Sequence, residues 1–152
     1  MDRILNYLKN FFYKFGENGT YTIEDNSITV RGKYVEGQYI RLTGSVLNDG
    51  VYKVITIEDN TITLDGAVNE VFEGVIYSLA IPKEIIELEK KIKKYEEDNP
   101  QGGYISESFG NYSYNKGTNA NGELNTWKDV FKVELRPYKK VYDIVKKVKM
   151  IW

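Results

Sequence analysis

One stretch of this chain occurs twice, and the repeat constrains the fold more than any other feature. Thr22-Ile-Glu-Asp-Asn-Ser-Ile-Thr-Val30 returns 34 residues later as Thr56-Ile-Glu-Asp-Asn-Thr-Ile-Thr-Leu64. Each copy alternates apolar and polar residues on either side of Asp-Asn. That is the pattern of two short strands joined by a two-residue turn, because Asp and Asn both tolerate the positive φ such turns require. A turn at Asp25-Asn26 sets Ile23 opposite Ile28 and Tyr21 opposite Val30. A turn at Asp59-Asn60 sets Ile57 opposite Ile62 and Ile55 opposite Leu64. The four apolar side chains of each hairpin then share one face. Two copies are too few for a solenoid, so the repeat predicts two related hairpins in one sub-domain.

Between the copies, residues 38–43 and 51–54 read as strands, joined through Gly44 to Gly50 with an Asn48-Asp49-Gly50 turn signal. Residues 71–79 add a further strand. Five or six short strands predict a compact sheet or small barrel over residues 19–79.

The flanks change to helical spacing. Ile4, Leu5, Leu8, Phe11, Phe12 and Phe15 share a face over residues 2–15, and Gly16 and Gly19 close the run. Pro82 suits a first helical turn, and Ile85, Leu88, Ile92 and Tyr95 mark one face of a helix over residues 82–98. Glu87 with Lys91 and Glu89 with Lys93 are i,i+4 pairs on its other face. Asn99-Pro100 and Gly102-Gly103 stop it. From 99 to 125 the chain is rich in Gly, Asn, Ser and Tyr, which predicts a long flexible loop ordered by contacts. Thr126 and Asp129 then resemble a capping box opening a helix through Trp127, Val130, Phe131 and Leu135. Pro137 interrupts it, and Tyr138, Val141, Val145 and Val148 extend an apolar stripe to the C-terminus.

Composition narrows the chemistry. The chain has no His and no Cys. Ser–His and Cys–His catalysis, disulfides and thiolate–metal sites are therefore excluded. No apolar run approaches the ~20 residues of a membrane span, and residues 1–15 lack the order of a signal peptide, so a soluble, unexported chain is expected. With 21 basic and 22 acidic residues, no overall basic excess supports phosphate-driven binding. Glu96-Glu97-Asp98 is the densest acidic cluster, yet adjacent positions on a helix point apart and do not form a carboxylate pair across a cleft. Asp25, Asp49 and Asp59 suit turns and lack the ligand spacing of an EF-hand. No catalytic, metal or cofactor site is expected. The last residues are basic: Lys139, Lys140, Lys146, Lys147 and Lys149 stand against Asp143 alone, and Ile151 and Trp152 follow. A lysine-rich segment ending on large apolar groups reads as a surface for docking a partner.

The stretch Ile105-Ser-Glu-Ser-Phe-Gly-Asn-Tyr-Ser-Tyr114, then a Gly/Asn loop, then a helix closing on Leu135-Arg-Pro-Tyr138, resembles the head–tail connector (adaptor) proteins of long-tailed double-stranded DNA phages. Two positions depart from that family's pattern: Asn111 stands where Asp is expected, and Lys139 follows Tyr138 where Arg is usual. The resemblance covers mainly residues 82–140. Less specifically, Gly44-Ser-Val-Leu-Asn-Asp-Gly50 looks like a small β module of phage structural proteins.

The resemblance implies an α+β chain: a small helical bundle core from residues 1–18 and 80–152, with residues 19–79 inserted as an antiparallel β-hairpin or small β-barrel sub-domain. It implies a non-enzymatic structural subunit of the virion neck, assembled in the host bacterial cytoplasm. The subunit would form a homo-oligomeric, dodecameric ring beneath the portal, extend the DNA channel and carry further neck and tail proteins. DNA would pass without specific binding, with no cofactor, metal or membrane. Portal docking would fall to Tyr138, Lys139, Lys140, Tyr142, Lys146, Lys147, Lys149, Ile151 and Trp152. Subunit or channel contacts would fall to Ser106, Glu107, Ser108, Phe109, Gly110, Tyr112 and Tyr114. The residues leave two other readings open: a monomeric small-β module binding a ligand or protein on a helical scaffold, and a carboxylate-dependent hydrolase.

Overall fold

A computed structural model describes residues 1–100, 106–109, 112–115, 125–141 and 148–151. The chain divides into two compact units, residues 1–82 with 140–152, and residues 83–139.

The first unit is built on a closed, six-stranded antiparallel barrel. Its strands are β1 (Tyr13–Glu24), β2 (Ser27–Thr29), β3 (Tyr39–Thr43), β4 (Gly50–Glu58), β5 (Thr61–Leu64) and β6 (Glu70–Leu79). They hydrogen-bond in the order β2-β5-β4-β3-β6-β1, and β1 pairs with β2 to close the ring. Inward residues alternate with outward ones along each strand. Ile23, Ile28, Ile40, Leu42, Val54, Ile62 and Ile76 fill the interior, each at most 1% exposed. Such an interior is a packed core and leaves no room for a ligand. The expected helical bundle with an inserted hairpin is therefore overturned: the barrel is the principal body and the helices are short.

The repeat explains closure. Ile28 faces Ile62 across β2 and β5, and Leu42 faces Ile76 across β3 and β6. In both pairs the partners are counterparts 34 positions apart. An antiparallel segment paired with its own copy has a local two-fold axis through the central pair. The hydrogen bonds obey it: Val30 N–H donates to Asn60 O and Leu64 N–H donates to Asn26 O, both at 2.8 Å. The repeating unit is thus three strands, β1–β3 and β4–β6, rather than a hairpin alone. Both turns use left-handed residues, with φ of 50° at Asp25, 63° at Asn26 and 52° at Asp59.

The hairpin registers are partly corrected. Ile23 pairs with Ile28, and Ile57 with Ile62, as expected. Tyr21, however, pairs with Phe72 on β6, while Val30 turns to β5. In β4 a bulge between Val54 and Thr56 sets Val54 opposite Leu64 and turns Ile55 outward, 47% exposed. A bulge adds one residue and so exchanges inside for outside.

The first helix also ends earlier than its spacing predicts. Helix α1 (Asp2–Leu8) buries Ile4, Leu5 and Leu8. Lys9 then takes φ 50° and Phe12 φ 55°, and the chain enters β1 at Tyr13. Phe11, Tyr13 and Phe15 fit a period of two as well as a helical one. Long pairing with β6 decides for the strand, from Tyr13 opposite Leu79 to Ile23 opposite Glu70. Arg41 lies over the Phe11 ring at 3.7 Å from its centroid. At the other end β9 (Lys149–Ile151) adds to β1 in parallel, Met150 beside Gly16, where a helical stripe was expected.

The second unit holds α2 (Lys83–Asp98), the antiparallel hairpin β7 (Ser106–Phe109) and β8 (Tyr112–Asn115), short helices α3 (Trp127–Val130) and α4 (Lys132–Leu135), and a 3-10 turn at Arg136–Tyr138. The Asp129 carboxylate accepts the Thr126 amide at 2.9 Å, as a capping box requires. Tyr95 ties α2 to α3: its ring meets Phe131 edge-on at 6.0 Å, and its hydroxyl donates to Asn125 O at 3.1 Å. The stretch 99–125, expected to be one loop, contains this hairpin.

Candidate docking site

The most exposed large apolar side chain among the described residues, Val46, sits on the loop joining the two halves of the barrel. Residues 44–49 link β3 to β4, and their tip presents Val46, 91% exposed, and Leu47, 62% exposed. Gly44 starts the loop with φ 88°, and a Cβ there would lie 2.7 Å from Glu73 O on β6. Only glycine lets the chain turn so close to that strand.

The loop is braced from below by Glu70, the first residue of β6. Its Oε1 accepts the amides of Val46 at 2.9 Å and Leu47 at 3.3 Å. Its Oε2 accepts the Ser45 hydroxyl and Asn48 Nδ2, the latter at 2.7 Å. The Ser45 hydroxyl bond, reinforced by Asn48 and the two amides, holds the Glu70 carboxyl below the usual carboxylate range. A general acid needs the opposite shift; Glu70 is a clamp. Asn48, 1% exposed, extends the brace, since Nδ2 donates to Val68 O at 3.0 Å and Oδ1 accepts Val68 N–H at 2.8 Å. The Asn48 amide in turn donates to Ser45 Oγ at 2.6 Å. Val68, so tied to the loop, is itself 49% exposed, and Val71 beside Glu70 is 67% exposed.

The surroundings are acidic. Residues 42–82 contain Asp49, Glu58, Asp59, Asp65, Glu70 and Glu73 against Lys53 alone. The Tyr52 hydroxyl is pushed above the ordinary tyrosine range by burial first, then by the charges of Asp2, Asp49, Asp65 and Glu70. Of these, Asp49 accepts the Gly44 amide at 3.3 Å, Glu70 holds the loop and Asp2 accepts the Val51 amide just past it, so three carboxylates lie at the base of an apolar tip.

A second polar network lies inside the barrel wall. Glu17, fully buried, accepts Gly32 N–H at 2.7 Å, Arg31 N–H at 3.1 Å, the Tyr34 hydroxyl at 2.9 Å and the Tyr21 hydroxyl at 3.1 Å. Every donor is neutral and three of the four come from residues 31–34, so this carboxylate fixes the crossing of that segment over β1. Burial, reinforced for Tyr34 by the Glu17 charge, pushes the Tyr34 hydroxyl far up and that of Tyr21 up to about 12.

The residues expected to dock a portal are dispersed. Tyr138 lines a shallow groove of the helical unit with Lys83, Glu84, Leu88, Lys91 and Pro137. Lys139 and Lys140 are exposed, and Lys140 N–H donates to Leu8 O at 2.7 Å. Lys149 and Ile151 are in β9. Tyr142, Lys146, Lys147 and Trp152 lie outside the described residues. Of the motif residues, Ser106 to Phe109 and Tyr112 and Tyr114 form the two strands of β7 and β8, with Ser108 opposite Ser113, while Gly110 lies outside the described residues. Among the described residues no group of acids could hold a metal ion, and no helix is long and apolar enough to cross a membrane.

The Glu70 brace escaped sequence reasoning. Its signal was a Ser45-x-x-Asn48 pair in a turn, but nothing local points to an acid 22 residues beyond Asn48. Glu17 left a plainer trace, an acid at an inward position between Phe15 and Tyr21. No protein-family model, curated protein or solved structure matches the chain.

Proposed function

We propose that this chain is a non-catalytic subunit of a protein assembly that docks through the loop at residues 44–49. One observation carries the reading: Val46 and Leu47 stand in water on a loop clamped by Glu70, Ser45 and Asn48. A loop so braced loses little entropy on binding, and an apolar tip held rigidly exposed is a pre-organised contact. The missing His and Cys agree with a docking role. Within this class, the motif from Ser106 to Tyr114 supports a head–tail connector of a long-tailed phage, ringed beneath a portal. That narrower reading rests on the motif and no longer on a helical-bundle core.

The test is capture of partners by the tagged full chain in its own genetic background, beside the V46S/L47S variant. Burying both side chains is worth about 3–5 kcal/mol, so the variant should lose at least ~100-fold in affinity while keeping its circular dichroism. Equal capture by both chains would overturn the docking role of the loop. Negative-stain images of the chain with a portal decide the connector reading: rings support it, and a monomer that ignores the portal sinks it.

A further inference from the structure

The chemistry that would cover the acidic, apolar-tipped loop is present elsewhere in the chain. Among residues 139–149, Lys139, Lys140, Lys146, Lys147 and Lys149 face one acid, Asp143. Lys139, Lys140 and Lys149 are exposed, and Val141 between them is 75% exposed. This segment therefore combines positive charge with an exposed apolar side chain, the complement of the Val46 and Leu47 tip with its rim at Asp2, Asp49 and Glu70. Within one copy Lys140 and Lys149 are tied to other elements. Lys140 is bonded to Leu8 at the end of α1, while Asp2 at the start of α1 accepts the Val51 amide just past the loop. The two points are about one helix length apart, roughly 10 Å, and β9 anchors the segment again beside Phe15.

We infer that the loop of one copy receives the lysine-rich segment at Lys139, Lys140 and Val141 of a second copy. This rests on the assembly reading and names its partner. The contact joins two different surfaces and each copy carries both, so copies can close reciprocally as a two-fold dimer or propagate head to tail. Opposite charges at its rim make it sensitive to salt, since screening at high salt shortens their reach to a few ångströms.

The experiment is light scattering of the full-length protein across a concentration series at low and high salt, with charge-swapped variants. Wild-type mass should rise with concentration at low salt, and the apparent Kd should weaken at least ~10-fold at high salt. V46S/L47S should weaken it ~100-fold. K139E/K140E, with a reversed tail, and D49K/V71K/E73K, which takes the face formed with Asp2 and Glu70 from a charge of about -4 to about +1, should each be monomeric alone. Mixed together they should associate again, because the acidic tail of one then meets the basic face of the other. Circular dichroism identifies a variant that fails to fold, and V68K/V71K/E73K, which leaves Asp49 on Gly44 and makes the face about neutral, then replaces the face variant and should lose the salt dependence of association. A wild type that stays monomeric throughout, or a mixture no better than its components, overturns the inference. If the wild type stays monomeric yet captures a different protein through Val46 and Leu47, the self-contact fails while the assembly reading stands. If it captures nothing, both fail.

Discussion

Removing the acceptor at Glu17 tests whether its buried cage supports the barrel. The cage has four donors, and two of them, the amides of Arg31 and Gly32, cannot become acceptors. In Glu17→Ala both amides and the Tyr34 hydroxyl lose their partner at a position with no exposure, while the Tyr21 hydroxyl keeps the residue-17 carbonyl at 3.0 Å. Each buried donor left unsatisfied costs about 1–3 kcal/mol. Arg31 and Gly32 lie partly toward solvent and recover some of this from water, so the total should be about 3–5 kcal/mol. Glu17→Gln should cost less, and the geometry says how. Placing its amide nitrogen at the Oε2 position would set N–H against Gly32 N–H at 2.7 Å. Placing it at Oε1 leaves Arg31 an oxygen at 3.2 Å and asks only the Tyr21 hydroxyl to turn. That orientation should cost about 1–2 kcal/mol. Tyr34→Phe, which removes one donor and leaves the carboxylate with three, should fall at about 1.5–3 kcal/mol. Urea unfolding followed by circular dichroism ranks the three, and with a slope of about 1–3 kcal/mol per molar the alanine variant should lose roughly 2 M in midpoint. An alanine variant within about 1 kcal/mol of wild type would refute the reasoning, as would a glutamine variant as unstable as alanine.

Three further outcomes follow from particular contacts. Val54→Ala should cost about 2 kcal/mol and Ile55→Ser less than about 0.5 kcal/mol by chemical denaturation; the reverse order would restore the unbulged register. Asn48→Ala should cost about 1–3 kcal/mol and increase hydrogen exchange at the Val46 and Leu47 amides, and unchanged protection there would remove Asn48 from the brace. Tyr21 and Tyr34 have hydroxyls raised above the ordinary value of 10.0 in the fold. The stability they contribute is intact below that pH and is lost as pH rises toward their folded values. Phenolate absorbance from these two should therefore appear together with loss of barrel ellipticity, and full ionisation of an intact barrel would contradict their burial.

Much of the barrel was legible because its information is local. Asp-Asn turns flanked by alternating residues fix Ile23 against Ile28 and Ile57 against Ile62 without any distant contact. Helix α2 and the Thr126–Asp129 cap are legible for the same reason. What failed depends on pairing between distant segments. Phe15 suits either period until β6 is beside it, and Ile55 faces inward until a bulge shifts the register. Assigning residues 80–152 to a helical bundle extended α2 and a short motif over a region whose described part, beyond α2, contains brief helical turns, a hairpin and the strand β9. The link at residues 44–49 was read from its Gly and Asn-Asp-Gly signals, yet its brace runs from the loop to β6 and no spacing rule connects Ser45 with Glu70.

The local two-fold axis also bears on where a unique site can arise in a duplicated barrel. Core counterparts repeat closely, Ile28 with Ile62 and Leu42 with Ile76, because both halves must present the same inward surface to close the ring. Outward counterparts diverge: Arg31 corresponds to Asp65, and buried Tyr34 to exposed Val68. Even a shared acid is used differently, since Glu36 receives the Ile57 amide at 3.4 Å while Glu70 holds the whole loop. The linker between the halves has no counterpart at all. It runs from β3 to β4, beside the Leu42 and Ile76 pair on the axis, whereas the chain after β6 leaves for α2. A site on a repeated face would tend to occur twice, but one on the linker occurs once per copy. Residues 44–49 therefore place Val46 and Leu47 at one position of the barrel, with no second copy on the other half.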